Sequence, residues 1–242
     1  MAKRKISPAY IAANIRRVLK DGGSAPHAED VQWFFKEEIK SRGWYTAELR
    51  KVAVRFRRTI LREQDTKFLL KVADKLFRGR VLEEKIFAVF LLEKLVGNFD
   101  DAEFRMFEPW LSRITSWADH DALVHYLIAP MIVNKTSRAR TVFVWARSKN
   151  RWHRRAACVA LIQGTRRKMF LPDITRLSNL LLEDEDDIVQ KGLGWLLRET
   201  VKYNAPAAIP YLREIRSHAP RLVLRTACET LAQAERRKIL AA

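Results

Sequence analysis

Thr-Ala-Glu-Leu-Arg-Lys-Val-Ala-Val-Arg-Phe-Arg-Arg-Thr-Ile-Leu-Arg, residues 46–62, is where the fold is easiest to read. Leu49, Val52, Ala53, Phe56 and Ile60 recur at steps of three and four, the period of a helix that buries one stripe. Arg50, Lys51, Arg55, Arg57, Arg58 and Arg62 take the other faces, which predicts an amphipathic helix with a cationic outer surface.

The same rhythm extends in both directions. Towards the N-terminus, residues 7–20 read as a helix with Pro8 in its first turn, and 28–40 as another that ends by Gly43. Towards the C-terminus, helices are expected over 66–77, 81–96, from Asp100 or Asp101 to 113, and 117–128. Beyond Pro130 the expected helices are 137–147, 152–163, 172–182, 187–202, 205–217 and 219–234. No stretch alternates with the period of two that a half-buried strand needs. The expected class is all-α, a HEAT-like repeat solenoid of antiparallel helix pairs spaced by about forty residues, forming one domain over 1–242. Such a stack curves, and a concave basic face is expected on it.

Composition narrows the partner. Lys and Arg number 46 against 28 Asp and Glu, a net charge of +18, which points to a polyanion. From Ala122 to Pro172 the chain has no acidic residue, while Lys135, Arg138, Arg140, Arg147, Lys149, Arg151, Arg154, Arg155, Arg166, Arg167 and Lys168 all fall there. A solvated helix face normally mixes both signs, so this segregation predicts a phosphate-facing surface. Trp145, Trp152 and Trp195 are interleaved with it. Arg147, Lys149, Arg151, Trp152, Arg154, Arg155, Arg166, Arg167 and Lys168 are the candidate nucleic-acid-binding residues.

Cys158 and Cys228 lie in small-residue surroundings, as core residues do, and the five histidines have no zinc spacing. No metal site and no cofactor are expected. No apolar run follows the charged N-terminus and none is long enough to span a bilayer, so a cytoplasmic protein with no membrane partner is expected, and a monomer is the simplest state. Gly-x-Ser-x-Gly, phosphate-loop and zinc-protease patterns are absent.

One stretch carries chemistry: Ile-Thr-Ser-Trp-Ala-Asp-His-Asp, 114–121. Ser116 is a good N-cap, and Asp119 three residues on completes a near capping box at the positive end of the helix dipole. Asp121 has no such task. It stands four residues after Trp117, so indole and carboxylate share a helix face and together can stabilise a cationic sugar.

Ile-Thr-Ser-Trp-Ala-Asp-His-Asp (114–121), Asn-Arg-Trp-His-Arg-Arg-Ala-Ala (150–157), Val-Gln-Lys-Gly-Leu-Gly-Trp-Leu-Leu-Arg-Glu (189–199) and Ser-Arg-Gly-Trp-Tyr-Thr-Ala-Glu-Leu-Arg (41–50) resemble, in order and spacing, segments of the AlkD-type DNA alkylation repair glycosylases. The resemblance covers most of the chain. It implies HEAT-like repeats and excision of positively charged N3- or N7-alkylated purines from double-stranded DNA, without a base-flipping pocket. It implies that Trp117 and Trp195 contact the sugar of the lesion. Asp121 would stabilise the oxocarbenium-like transition state and hold the attacking water, and Arg155, with Arg154 as a neighbouring candidate, would hold the backbone beside the lesion. This sequence departs from the family pattern at Ala118, where an acid is common, and at His120, where an apolar residue is common. Asp119 is the alternative carrier of the catalytic role. The alternative function is a non-catalytic HEAT-like protein that binds damaged or branched DNA.

Overall fold

A computed structural model describes residues 6–241. Those residues are helical, and their one β-type bridge joins Lys40 to Val81. The helices group into two compact units, one running to Leu127 and the other starting at Ile128.

The first unit holds α1 (Pro8–Asp21), α2 (Ala25–Gln32), α3 (Thr46–Ile60), α4 (Thr66–Phe77), α5 (Leu82–Leu92), α6 (Asp101–Leu111) and α7 (Trp117–Leu123). Capping follows the sequence: the Ser7 side chain accepts from Tyr10 N with Pro8 in the first turn, and Asp100 and Glu103 form a capping box on α6. Helix α5 is the centre, with α3, α4 and α7 packed on it. Apart from Ile86 its residues are all buried, including three charged ones in its first turn, Glu83, Glu84 and Lys85.

Buried charge persists only when it is paired and hydrogen-bonded, and each of the three reaches a different neighbour. Glu83 accepts from Ser41 Oγ at 2.7 Å and from the backbone N–H groups of Arg42 and Gly43, each at 2.9 Å. Gly43 makes that wrap possible: its φ is +71°, and a Cβ there would lie 2.0 Å from the Ser24 carbonyl oxygen. Glu84 accepts from Arg16 of α1 at 2.8 Å. Lys85 reaches the start of α7, described below. One turn of one helix thus ties the N-terminal helix, the α2–α3 connection and α7 together.

Helix α2 ends at Gln32, well short of the expected 40. The Gln32 side chain explains the stop, because it donates to the Glu37 carbonyl at 2.9 Å and accepts from Ile39 N at 2.9 Å, satisfying backbone outside any helix. Arg57, expected on an outer face, is buried and donates to the Phe90 carbonyl at 3.0 Å.

The second unit holds α8 (Ala129–Asn134), α9 (Thr141–Trp145), α10 (Arg151–Val159), α11 (Ile162–Thr165), α12 (Leu171–Leu181), α13 (Asp187–Ile215), α14 (Arg221–Ala227) and α15 (Gln233–Leu240). Helix α13 is its centre, with α10, α11, α12 and α14 against it. The two helices expected over 187–202 and 205–217 run on as α13 across a kink at Asn204 (φ −150°, ψ 56°). Pro206 supplies the cause, having no N–H for the carbonyl one turn back. The long helix expected over 219–234 is instead two short ones.

Between Leu123 and Ala129 the chain passes through a π-turn, Val124–Ile128, where an uninterrupted α-helix was expected. Pro130 lies two residues beyond and cannot donate, and a wider turn accommodates the missing bond. Both cysteines are buried, and burial pushes the Cys158 thiol up to about 12, which makes it an inert packing group. No helix among the described residues is long and apolar enough to cross a membrane.

Candidate functional site

Helix α7 begins at Trp117, with Ser116 as its N-cap in extended geometry (φ −151°, ψ 166°). Ser116 N and Oγ both donate to Asp119 Oδ1 at 2.7 Å, and the Asp119 amide reaches back to Ser116 Oγ at 3.5 Å. The other Asp119 oxygen accepts from Thr115 N at 3.0 Å, Thr115 Oγ1 at 3.1 Å and Lys85 Nζ at 3.0 Å. Asp119 is wholly buried and Lys85 is 1% exposed. Lys85 Nζ also donates to the Arg113 carbonyl and, at 3.1 Å, to Thr115 Oγ1. Asp119 is therefore the structural acid of the stretch, engaged on both oxygens. Lys85, 34 positions earlier, is its partner and escaped the sequence reading.

Trp117 and Asp121 behave differently. The indole is 38% exposed and stacks on Phe35 (centroids 4.9 Å apart, planes 18° apart). The Asp121 side chain is 20% exposed, and its Oδ1 lies 2.6 Å from Nδ1 of His120, which is itself buried completely. Indole and carboxylate stand one turn apart on α7, as their spacing requires. Trp117 also walls a cavity of about 370 Å³ between the α2–α3 connection, α3 and α5, lined by His27, Phe34, Phe35, Trp44 and Tyr45 among others. His27 stacks on Tyr45 there at 4.0 Å. The Ser41–Trp44 segment that frames this cavity is the one wrapped around Glu83, and Trp44 Nε1 donates to the Leu19 carbonyl at 2.8 Å.

In the second unit Asn150 caps α10 by accepting from Trp152 N at 2.9 Å. Arg154 is engaged within the chain: Nε donates to Asp184 Oδ2 at 2.5 Å, Nη2 to Asp184 Oδ1 at 3.3 Å, and Nη1 to the Ser148 and Lys149 carbonyls. Arg151 lies 3.7 Å from Asp186 and over the Trp152 ring. The acidic run after α12 thus faces two of the arginines expected to meet phosphate, because it caps α13 alongside them. Arg155 is 5% exposed and donates to the Ile188 carbonyl at 2.8 Å, while Trp152 is 7% exposed. Burial removes Trp152 and Arg155 from the open surface on which the acid-free pattern placed them.

Two glycines explain the Lys-Gly-Leu-Gly-Trp segment. A Cβ at Gly192 would stand 3.2 Å from Arg155 Cγ, and one at Gly194 would stand 2.6 Å from Thr226 Cβ. Gly192 admits Arg155 and Gly194 admits α14. Trp195 is half-buried on α13, three residues after Gly192 and so on the face that Arg155 crosses.

Arg147, Lys149, Arg166, Arg167 and Lys168 remain exposed. The tip 166–168 is held by a tight turn in which Lys168 (φ 55°) and Phe170 (φ 65°) adopt left-handed backbone. The Arg167 and Met169 amides both close on the Gly164 carbonyl at 3.0 Å, and Phe170 fills the space a Gly164 side chain would need. Among the described residues no group of His, Cys, Asp and Glu is arranged to hold a metal ion.

The described residues pack as helical repeats, and α7 presents a part-exposed indole and a part-exposed carboxylate one turn apart. The chain belongs to the DNA alkylation repair enzyme family, whose model matches residues 15–231. It is similar in fold to a solved structure described as a predicted DNA alkylation repair enzyme from Enterococcus faecalis, with a TM-score of 0.78 at 17% identity over 87% of this chain and 97% of that one. No curated protein matches significantly. Membership carries a role in DNA alkylation repair, with DNA as the partner it suggests.

Proposed function

We propose that this protein is a monofunctional DNA glycosylase that hydrolyses the N-glycosidic bond of positively charged N3- or N7-alkylated purines in duplex DNA. The observation that carries this reading is the division of labour on α7: Asp119 is buried and bonded on both oxygens, whereas Asp121 and Trp117 reach the surface one turn apart. An alkylated purine already bears a positive charge, so it leaves as a neutral base when the C1′–N bond breaks and its electron pair departs with the base. The positive charge passes to the sugar. Asp121 stabilises that oxocarbenium-like charge electrostatically and orients a water for attack at C1′, whose proton is then lost to solvent. No acid is needed to protonate the leaving group, in keeping with one carboxylate instead of the paired acids of most glycoside hydrolases. Trp117 supplies a π face to the same cation.

Within the second unit, the half-buried Trp195 is assigned to contact with DNA. Direct phosphate contact is assigned to the exposed Arg147, Lys149, Arg166, Arg167 and Lys168. Arg154, Arg155, Arg151 and Trp152 are assigned to holding α10 and α13 in place beneath them. Replacing Arg166, Arg167 and Lys168 with Ala is expected to weaken duplex binding across sequences. It should also flatten the dependence of log K on log salt by roughly one unit per lost contact. Binding isotherms at several salt concentrations measure this, and an unchanged slope would remove the tip from the DNA surface.

The function itself is tested by incubating the protein with methylated duplex DNA and measuring released 7-methylguanine and 3-methyladenine. Release above the spontaneous rate is expected. Tight binding with no release would favour the second reading, a non-catalytic DNA-binding protein. One observation speaks for that reading: Phe35 lies stacked on the Trp117 indole that the reaction needs.

A further inference from the structure

His120 and Asp121 meet in a contact on α7 that the proposed reaction does not by itself require. Nδ1 of His120 lies 2.6 Å from Asp121 Oδ1, a short hydrogen bond of the kind a carboxylate acceptor makes. A histidine bonded through Nδ1 to a carboxylate has two functional uses. In one, the imidazole is the working group and the carboxylate orients it, as in hydrolytic triads. In the other, the carboxylate works and the imidazole orients it, as an outer partner does for a metal-binding or catalytic group.

Exposure decides between them. His120 is 0% exposed and Asp121 is 20% exposed, so only the carboxylate meets the surface on which Trp117 also stands. The imidazole is fixed in turn by the turn it sits on. Its own amide donates to the Ser116 carbonyl at 3.1 Å, and the neighbouring Asp119 is anchored by the buried Lys85. A water-positioning carboxylate is effective only when held within a fraction of an ångström.

We propose that His120 is a positioning residue: it donates its Nδ1–H to Asp121 Oδ1 and holds the carboxylate in the single orientation that faces the sugar and its attacking water. The proposal rests on the glycosylase reading. His120 touches no substrate and acts through Asp121 alone.

The test has two parts. In the unmodified protein, nitrogen-15 correlation spectra of the histidine rings report which nitrogen carries the proton. An Nδ1-protonated His120 resonance, assigned by its loss in His120→Asn, is expected, and an Nε2–H tautomer with unprotonated Nδ1 overturns the proposal without any appeal to catalysis. In parallel, single-turnover release of 7-methylguanine and duplex affinity are measured for His120→Leu and His120→Asn. His120→Leu is expected to slow release about tenfold with affinity unchanged, while His120→Asn, which can still donate to the carboxylate, recovers most of the rate. A His120→Leu protein as fast as wild type sinks the proposal and leaves the glycosylase reading standing. So do equal losses in both variants, which would mark packing alone. A wild-type protein that releases no base sinks the glycosylase reading, and the positioning role falls with it.

Discussion

Asp121→Asn is expected to lower release of alkylated purines from duplex DNA by about 10²–10³-fold, the scale set by removing one preorganised electrostatic group from a transition state. The amide has nearly the same shape and can still meet His120, so the helix and the Trp117 face stay in place. What is lost is the negative charge opposite a sugar that becomes cationic as the base departs. Affinity for intact alkylated DNA is expected to change little, because the ground-state sugar carries no charge for Asp121 to meet. The measurement is single-turnover release alongside duplex affinity. A parallel loss of affinity and rate would mean that Asp121 binds DNA without selecting the transition state. Full activity in Asp121→Asn with loss in Asp119→Asn would move the role one step back along the helix. The structure argues against that outcome, since both Asp119 oxygens are occupied and no part of it reaches solvent.

Lys85→Met is expected to destabilise the protein by about 3–5 kcal/mol, the cost of leaving one member of a buried pair without the other. Methionine fills similar space, so the loss isolates the charge. Asp119 would keep its Ser116 and Thr115 donors and lose its cationic partner Lys85, in a place with no access to water. Thermal or denaturant unfolding should show a midpoint lower by roughly 10 °C or more. The first unit should suffer selectively, visible as earlier hydrogen exchange in α7 than in α13. Adding Asp119→Leu to Lys85→Met should recover part of the loss, since an apolar pair avoids the stranded charge. Unchanged stability in the single variant would show that the pair contributes nothing to holding α7.

Periodicity made the helices legible: Leu49, Val52, Ala53 and Ile60 are buried on α3, and Ser116 and Asp119 form the capping box their spacing announced. Local signals of that kind need only a turn or two of chain. Contacts between distant positions left weaker marks. Glu83, Glu84 and Lys85 open a helix that is otherwise apolar on every face, and charges on such a helix must be buried with partners. That signal was present, but it names no partner, and Ser41, Arg16 and Asp119 lie far away in sequence. The acid-free run was legible as a basic segment. Its division into exposed tips and internally bonded arginines was not, because Asp184 and Asp186, which meet Arg154 and Arg151, lie just outside it. Glycines 192 and 194 were legible as a motif, and only the packing of Arg155 and Thr226 explains why no larger residue serves.

The Lys85–Asp119 pair also shapes what an approaching substrate feels. Two carboxylates lie within three residues at the start of α7, and like charges so close together repel. Lys85 silences one of them from inside the fold. The carboxylate that reaches the surface beside Trp117 is then that of Asp121, the one the proposed reaction places opposite the sugar. The acid neutralised inside the fold and the acid that reaches the surface are thus set apart by two residues of one helical turn.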